Sequence, residues 1–184
     1  MVNKFSLSKV FLLKDVESDQ MRKYIECVEF WSEMITHGSM NVKKLEIEEI
    51  DDDKDHVIKH DTIAEIEVDA LGLIKHTIHL IQTIRIIEEG ERIEDEIKVN
   101  SVNIIIEKSN QVKNFDCYIK IEEKTGKSRV TFNLNRMALN NDMIDLLGDK
   151  IATNRFKREV KHVFKNIQDF IDSREIKKFD DVCK

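Results

Sequence analysis

The sequence contains no proline, only five glycines and three cysteines. The absence of proline argues against a proline-rich linker or a string of separate domains. The cysteines, Cys27, Cys117 and Cys183, are odd in number and form no CxxC pair. They therefore predict no disulfide framework and indicate a reducing compartment rather than secretion.

The N-terminal region also lacks a long hydrophobic run, and the chain lacks an excess of positive charge. The longest uncharged apolar run in that region spans residues 10–13, which is too short for a signal peptide or a membrane span. The 36 acidic residues outnumber the 30 basic ones, and the resulting net charge of −6 repels nucleic acid. We expect a soluble cytoplasmic protein with no nucleic-acid partner and no stable membrane insertion.

What is present suffices for one globular domain, since 41% of the 184 residues are hydrophobic. Residues 3–13 alternate as a strand does, and Asp15 is a candidate N-cap for the helix that follows. Apolar residues then recur at steps of three and four over residues 21–35, which predicts an amphipathic helix that ends at Gly38.

The middle of the chain changes to a period of two. Six strands of an antiparallel meander are predicted between residues 41 and 138, with an acidic turn over residues 51–55 and another turn at Glu89 and Gly90. A short apolar segment follows over residues 139–147.

The C-terminal part returns to the helical period. Residues 156–171 carry one long apolar stripe, so this helix can cover the apolar face of a sheet. We expect a single domain over residues 1–172 and a charged, frayed tail over residues 173–184.

This order of elements resembles the helix-grip fold of the START-like superfamily, which includes Bet v 1-type and polyketide cyclase-like (SRPBCC) proteins. Trp31, near the end of the first helical region, is compatible with it. The superfamily usually has two short helices there, whereas residues 21–35 fit one longer helix equally well. The resemblance implies an α+β fold in which a curved antiparallel sheet of about seven strands grips the long C-terminal helix. It also implies a cavity for an apolar ligand between sheet and helix, although aromatic side chains filling a packed core would explain the same pattern.

Polar residues that share the parity of apolar neighbours are candidates for a polar site in this cavity. They are His60, His76, Gln82, Asp95 and Arg136. Inward-facing groups would orient a polar headgroup, and His76 and Asp95 would supply acid–base chemistry. Alternatively, these residues lie at strand ends on the sheet rim, or a bulge flips the parity and brings His79 and Arg85 inward. The complete set of predicted cavity residues is His60, Ile66, His76, Ile78, Leu80, Asp95, Phe115, Phe132, Arg136, Phe156, Val160 and Phe164.

Three functions are compatible with these features. The first is binding or transfer of a small hydrophobic or lipid-like ligand in the cavity. The second is a cyclase or dehydratase acting there through His76, Asp95 or Arg136. The third is a co-chaperone or interaction module with a filled core, its protein partner unspecified by the sequence. No catalytic motif is present, and we predict neither a metal nor a cofactor.

Overall fold

The computed structural model describes residues 5–38, 41–50, 56–70, 74–124, 127–140 and 148–183. The acidic turn predicted over residues 51–55 and most of the apolar segment predicted over 139–147 lie outside these ranges. The described elements are, in chain order, β1 (Phe5–Lys14), α1 (Ser18–Glu26), α2 (Val28–Thr36), β2 (Val42–Ile50), β3 (Val57–Ala70), β4 (Ile74–Glu94), β5 (Ile97–Ser109), β6 (Val112–Lys124), β7 (Lys127–Leu139), α3 (Asp149–Asp172) and a 3₁₀ helix, η1 (Glu175–Phe179).

The strands form one sheet of seven in the order β1-β7-β6-β5-β4-β3-β2, and every neighbouring pair is antiparallel. Strands β2 to β7 are the predicted six-stranded meander, and β1 closes the order by pairing with β7. The long helix α3 packs against this sheet, where the ring of Phe164 lies 5.4 Å from that of Phe132. The predicted α+β architecture, with about seven antiparallel strands and a long C-terminal helix, is therefore confirmed.

Strand β4 is 21 residues long and changes partner along its length. Residues 74–87 pair with β3 and residues 82–94 with β5, so the stretch they share has a partner on each side. The register with β5 shifts between Thr83 and Ile84 and between Glu88 and Gly90. Such irregularities bend a strand and increase its twist. The turn predicted at Glu89 and Gly90 is wrong, because the chain continues as strand there and reverses at Asp95 and Glu96.

Helix α1 begins at a carboxylate supplied by the sheet. Glu123 Oε2 on β6 accepts hydrogen bonds from Ser18 N (2.8 Å) and Ser18 Oγ (2.5 Å) at the first residue of α1. A carboxylate there satisfies a free N–H and complements the helix dipole. The predicted N-cap, Asp15, lies before the helix with a positive φ of 60°, and Glu17 occupies the cap position.

The first helical region is two short helices instead of one, and they meet at Cys27. This residue is extended (φ −87°, ψ 129°), which interrupts the helical hydrogen bonds. The indole Nε1 of Trp31 donates to the carbonyl oxygen of Ile25 at 2.6 Å and satisfies a group that the break leaves free. The sequence has no glycine or proline at this position. The break between α1 and α2 depends on tertiary contacts, so no local sequence pattern predicted it.

The segment after α3 is ordered, whereas the sequence indicated a frayed tail. Helix η1 buries Ile176 and Phe179, and the ring of Phe179 contacts those of Tyr24, Phe30 and Phe170 at 5.4–6.2 Å between centroids. Cys183 is also buried, and it forms a disulfide with Cys27. The prediction that the cysteines form no disulfide framework missed this bond, because the fold brings together two residues that are 156 positions apart.

Candidate functional site

A cavity of about 270 Å³ lies between the sheet and α3. Side chains on a strand alternate between its two faces, so every second residue of β3 to β7 faces α3. The sheet side of the cavity is lined by His60, Thr62, Ile66, Val68, Ile78, Leu80, Gln82, Ile84, Ile86, Ile104, Ile106, Phe115, Cys117, Phe132 and Leu134. These residues are mostly aliphatic or aromatic, which gives the cavity an apolar floor.

Helix α3 covers the cavity with a stripe of apolar residues at helical spacing. Phe156, Val160, Val163 and Phe164 all line the space, as the periodicity of the sequence predicts. Further lining residues come from α2, β2, the turn between β5 and β6 and the polar edge of α3. They are Trp31, Ile35, Val42, Ile47, Gln111, Arg155, Glu159 and His162.

One end of the cavity is closed by aromatic rings. Phe11 on β1 meets Phe132 and Phe164 edge-on, with ring centroids 5.5 Å and 5.9 Å apart. The thiol of Cys117 also lines the cavity, and burial raises its pKa to about 12. This thiol is therefore protonated at neutral pH, and it belongs to the apolar lining rather than acting as a nucleophile.

Three polar side chains interrupt the sheet side of the lining. His60 and Thr62 lie two residues apart on β3, and Gln82 on β4 is the register partner of Thr62. His60 is 2% exposed and Thr62 is 3% exposed. Burial lowers the pKa of His60, so its imidazole is neutral at physiological pH.

A second polar group occupies the edge of α3. Arg155, Glu159 and His162 recur at steps of four and three, which places them along one side of the helix. An Arg155 Nη2 donates to the carbonyl oxygen of Glu67 at 3.3 Å, and His162 Nε2 lies 3.0 Å from the carbonyl oxygen of His37. These contacts tie the helix edge to the rim of the sheet and to α2.

Nine of the twelve predicted cavity residues line the cavity. They are His60, Ile66, Ile78, Leu80, Phe115, Phe132, Phe156, Val160 and Phe164. The other three, His76, Asp95 and Arg136, lie outside its lining.

Irregular pairing explains two of these three displacements. The shift between Glu88 and Gly90 breaks the alternation along β4, so Ile93 is 76% exposed and Asp95 lies in the exposed turn. A shift between β6 and β7 has the same effect beyond Leu134, and Arg136 is exposed.

His76 keeps the inward parity near the start of β4, opposite Val68, but it is not one of the residues that line the cavity. A bulge that flips the parity was predicted to bring His79 and Arg85 inward instead. His79 is exposed, and Arg85 does not line the cavity. The candidate acid–base residues His76, Asp95 and Arg136 therefore do not converge in the cavity.

Several residues that line the cavity were not predicted from the sequence. Thr62 shares the parity of His60 and Ala64, so the same alternation contained its signal. Arg155, Glu159 and His162 flank the apolar stripe of α3. From the sequence alone, polar residues beside such a stripe are expected to face solvent, so they gave no sign of lining a cavity. Trp31 and Ile35 lie on α2, whose placement depends on the break at Cys27.

Comparison with known proteins gives similarity in three dimensions only. No family model matches the sequence, and no curated protein matches it. A protein of Thermus thermophilus superposes with a TM-score of 0.52 at 12% identity, covering 92% of this chain and 98% of the other. A START superfamily protein of Mycobacterium smegmatis gives 0.52 at 10%, covering 91% and 97%. The Zhui aromatase/cyclase of Streptomyces sp. R1128 gives 0.53 at 10%, covering 96% of each chain.

These similarities extend over nearly the whole of each compared chain, and they agree with the strand order and the long α3 described above. At identities of 10–12% they show the fold alone. Within the described ranges, no helix is both long and apolar enough to span a membrane. The chain has a START-like helix-grip fold.

Proposed function

We propose that this protein binds or transfers a small hydrophobic or lipid-like ligand in the cavity between the sheet and α3. The observation that carries the proposal is a cavity of about 270 Å³ whose lining residues are mostly aliphatic and aromatic. Protein interiors are normally packed with few voids larger than a water molecule. A mostly apolar space of this size is well suited to an apolar ligand.

The size of the cavity supports the same proposal. An apolar cavity of about 150 Å³ is large enough to bind benzene. The cavity here is larger, so it accommodates a molecule larger than a single ring. The rings of Phe132 and Phe164 line the cavity and offer faces and edges to such a molecule.

The test is to fill the cavity and measure binding of a neutral apolar fluorophore, N-phenyl-1-naphthylamine. Val160→Trp places a large side chain in the lining, and we expect it to lower the affinity at least tenfold. Ile151→Trp is the matched control, because Ile151 lies on the same helix, is 41% exposed and is not among the lining residues. Equal binding by the wild type and both variants would contradict the proposal.

The two alternative functions have less support in the structure. A cyclase or dehydratase using His76, Asp95 or Arg136 needs these groups to converge on a substrate, whereas all three lie outside the cavity lining. An interaction module with a filled core needs no cavity. Ligand binding is therefore the function that the geometry favours.

The cytoplasmic location expected from the sequence stays a prediction, and the Cys27–Cys183 disulfide argues against it. Disulfides persist in oxidising compartments and are rare where thiols are kept reduced. The test is to denature cells that produce the protein natively in the presence of an alkylating reagent, so that the buried Cys117 also reacts, and to count the modified cysteines by mass spectrometry. One modified cysteine indicates an oxidising compartment, and three indicate a reducing one.

A further inference from the structure

The cavity contains a polar patch formed by His60, Thr62 and Gln82. Thr62 and Gln82 are directly opposed on β3 and β4, and His60 lies two residues along β3 on the same face. Directly opposed side chains have Cβ atoms about 5 Å apart, so the three polar ends form one local group. All three residues line the cavity.

Each member of the patch has a buried polar atom without a hydrogen-bond partner among the described residues. These atoms are His60 Nε2, Thr62 Oγ1 and Gln82 Oε1. A buried polar atom normally has a partner, because leaving it unpaired costs free energy. Since the surrounding lining is apolar, a partner for these atoms has to arrive from inside the cavity.

The hydrogen-bonding character of the patch restricts that partner. A hydrogen bond to the main chain of Glu26 favours the protonated form of the His60 ring, so the ring donates there and its buried Nε2 is left as an acceptor. Gln82 Oε1 is also an acceptor, and the Thr62 hydroxyl both donates and accepts. The patch therefore offers two acceptors and one hydroxyl, which suits a partner that donates a proton.

Charge restricts the partner further. A carboxylate or phosphate has no proton to donate to the two acceptors, and a buried anion requires a nearby cation. Arg155 lines the cavity from the α3 side, but Glu159 lies one turn away on the same helix and also lines it. A bound anion would therefore lie near the carboxylate of Glu159, which disfavours its binding.

Building on the ligand-binding function proposed above, we propose that the cavity selects neutral apolar ligands bearing a hydroxyl group, namely alcohols or phenols, whose O–H is held by His60, Thr62 and Gln82. The apolar body of the ligand then lies against the aliphatic floor and the stripe of α3. The hydroxyl donates to one acceptor and accepts from Thr62.

The test compares three probes of similar size: 1-decanol, its isomer 1-methoxynonane, and decanoate. Each is titrated against bound N-phenyl-1-naphthylamine. The ether keeps an oxygen acceptor but cannot donate, so the comparison isolates the donated hydrogen bond. We expect 1-decanol to bind about 3–10-fold more tightly than the ether, which is the effect of one neutral hydrogen bond.

The variant Gln82→Leu removes an acceptor that only the alcohol can use, so it should reduce this preference toward equality. The variant Thr62→Val removes a donor that is available to the alcohol and to the ether alike, so it should weaken the binding of both probes. Thr77→Val is the matched control, since Thr77 is exposed on the outer face of the same β3–β4 hairpin and its loss should change neither affinity. Far-ultraviolet circular dichroism and thermal melting establish that each variant is folded.

The outcomes separate this inference from the proposed function. Equal affinities for 1-decanol and the ether, or tightest binding of decanoate, would overturn selection of hydroxyl groups while leaving apolar binding intact. Failure of all three probes to displace the fluorophore, together with no binding of the fluorophore itself, would overturn both.

Discussion

At the scale of single residues, Glu26 is an acidic side chain in an unfavourable position. Burial raises the pKa of this carboxyl to about 8, a hydrogen bond with Glu88 adds to the effect, and Arg22 opposes it. Arg22 Nη1 lies 3.0 Å from each carboxylate oxygen of Glu26 and also contacts Glu88. The guanidinium of Arg22 therefore lies between the carboxylate of Glu26 at the end of α1 and that of Glu88 on β4.

Glu26→Gln should make the protein less sensitive to alkaline pH. Because the folded pKa lies above the unfolded value, Glu26 stabilises the fold fully below pH 4.5, and this contribution is lost as the pH rises to about 8. When the pH is raised from 5 to 9, we expect the free energy of unfolding of the variant to increase by about 2 kcal/mol relative to that of the wild type. Urea unfolding at pH 5 and at pH 9 measures this difference. Glu49→Gln, at an exposed position on β2, is the control. Parallel pH profiles for the wild type and Glu26→Gln would contradict this account.

Asn166 provides a second prediction at this scale. It is 2% exposed on α3, and its Nδ2 donates to the carbonyl oxygens of Met34 (2.7 Å) and His37 (2.9 Å) at the end of α2. Asn166→Leu leaves these carbonyls without that donor, so we expect a loss of about 2–3 kcal/mol in the free energy of unfolding. Asn154→Leu on the exposed side of α3 should change it by less than about 0.5 kcal/mol. Similar losses in both variants would refute the capping role of Asn166.

At the scale of elements, the C-terminal segment holds the two short helices in place. Tyr24 and Gln20 on α1 both donate to Asp180, and the Cys27–Cys183 disulfide links the junction of α1 and α2 to the segment that follows η1. The rings of Phe30, Phe170 and Phe179 pack in the same region. This cluster fixes α2, which supplies one end of the cavity.

Reducing the disulfide should therefore lower the stability of the protein. A crosslink between residues 156 positions apart restricts the unfolded chain strongly, and we expect its removal to cost about 4 kcal/mol. The measurement is thermal unfolding with and without a phosphine reductant. The double variant Cys27→Ala, Cys183→Ala should melt at the temperature of the reduced wild type and should not respond to reductant. A wild-type melting temperature that is unchanged by reductant would rule out a stabilising crosslink.

The elements also show what the sequence could and could not predict. Alternation and helical period predicted the seven strands and α3, because both patterns are local. The turn assigned to Gly90 was wrong, since a glycine suits a bulge as well as a turn. The break at Cys27 and the ordered η1 arise from contacts between distant residues, which no local pattern records. Asp95 and Arg136 were placed inward because register shifts are invisible to a parity count.

At the scale of the whole molecule, sheet and helix do not close on each other completely. The bends in β4 and the length of α3 leave a space between them whose walls are mostly apolar. Period and parity predicted nine of its lining residues but could not predict that the space exists, because a filled core has the same pattern. The volume depends on how strongly the sheet curves.

Native mass spectrometry of freshly purified protein tests the central claim, that the cavity holds a small apolar ligand, most directly. We expect a discrete adduct of roughly 200–500 Da that is released on denaturation and recovered in an organic extract. The adduct should be lost in Val160→Trp and retained in Ile151→Trp. A clean apo mass for the wild type, together with no thermal stabilisation by a panel of alcohols, fatty acids and aromatic compounds, would contradict the account.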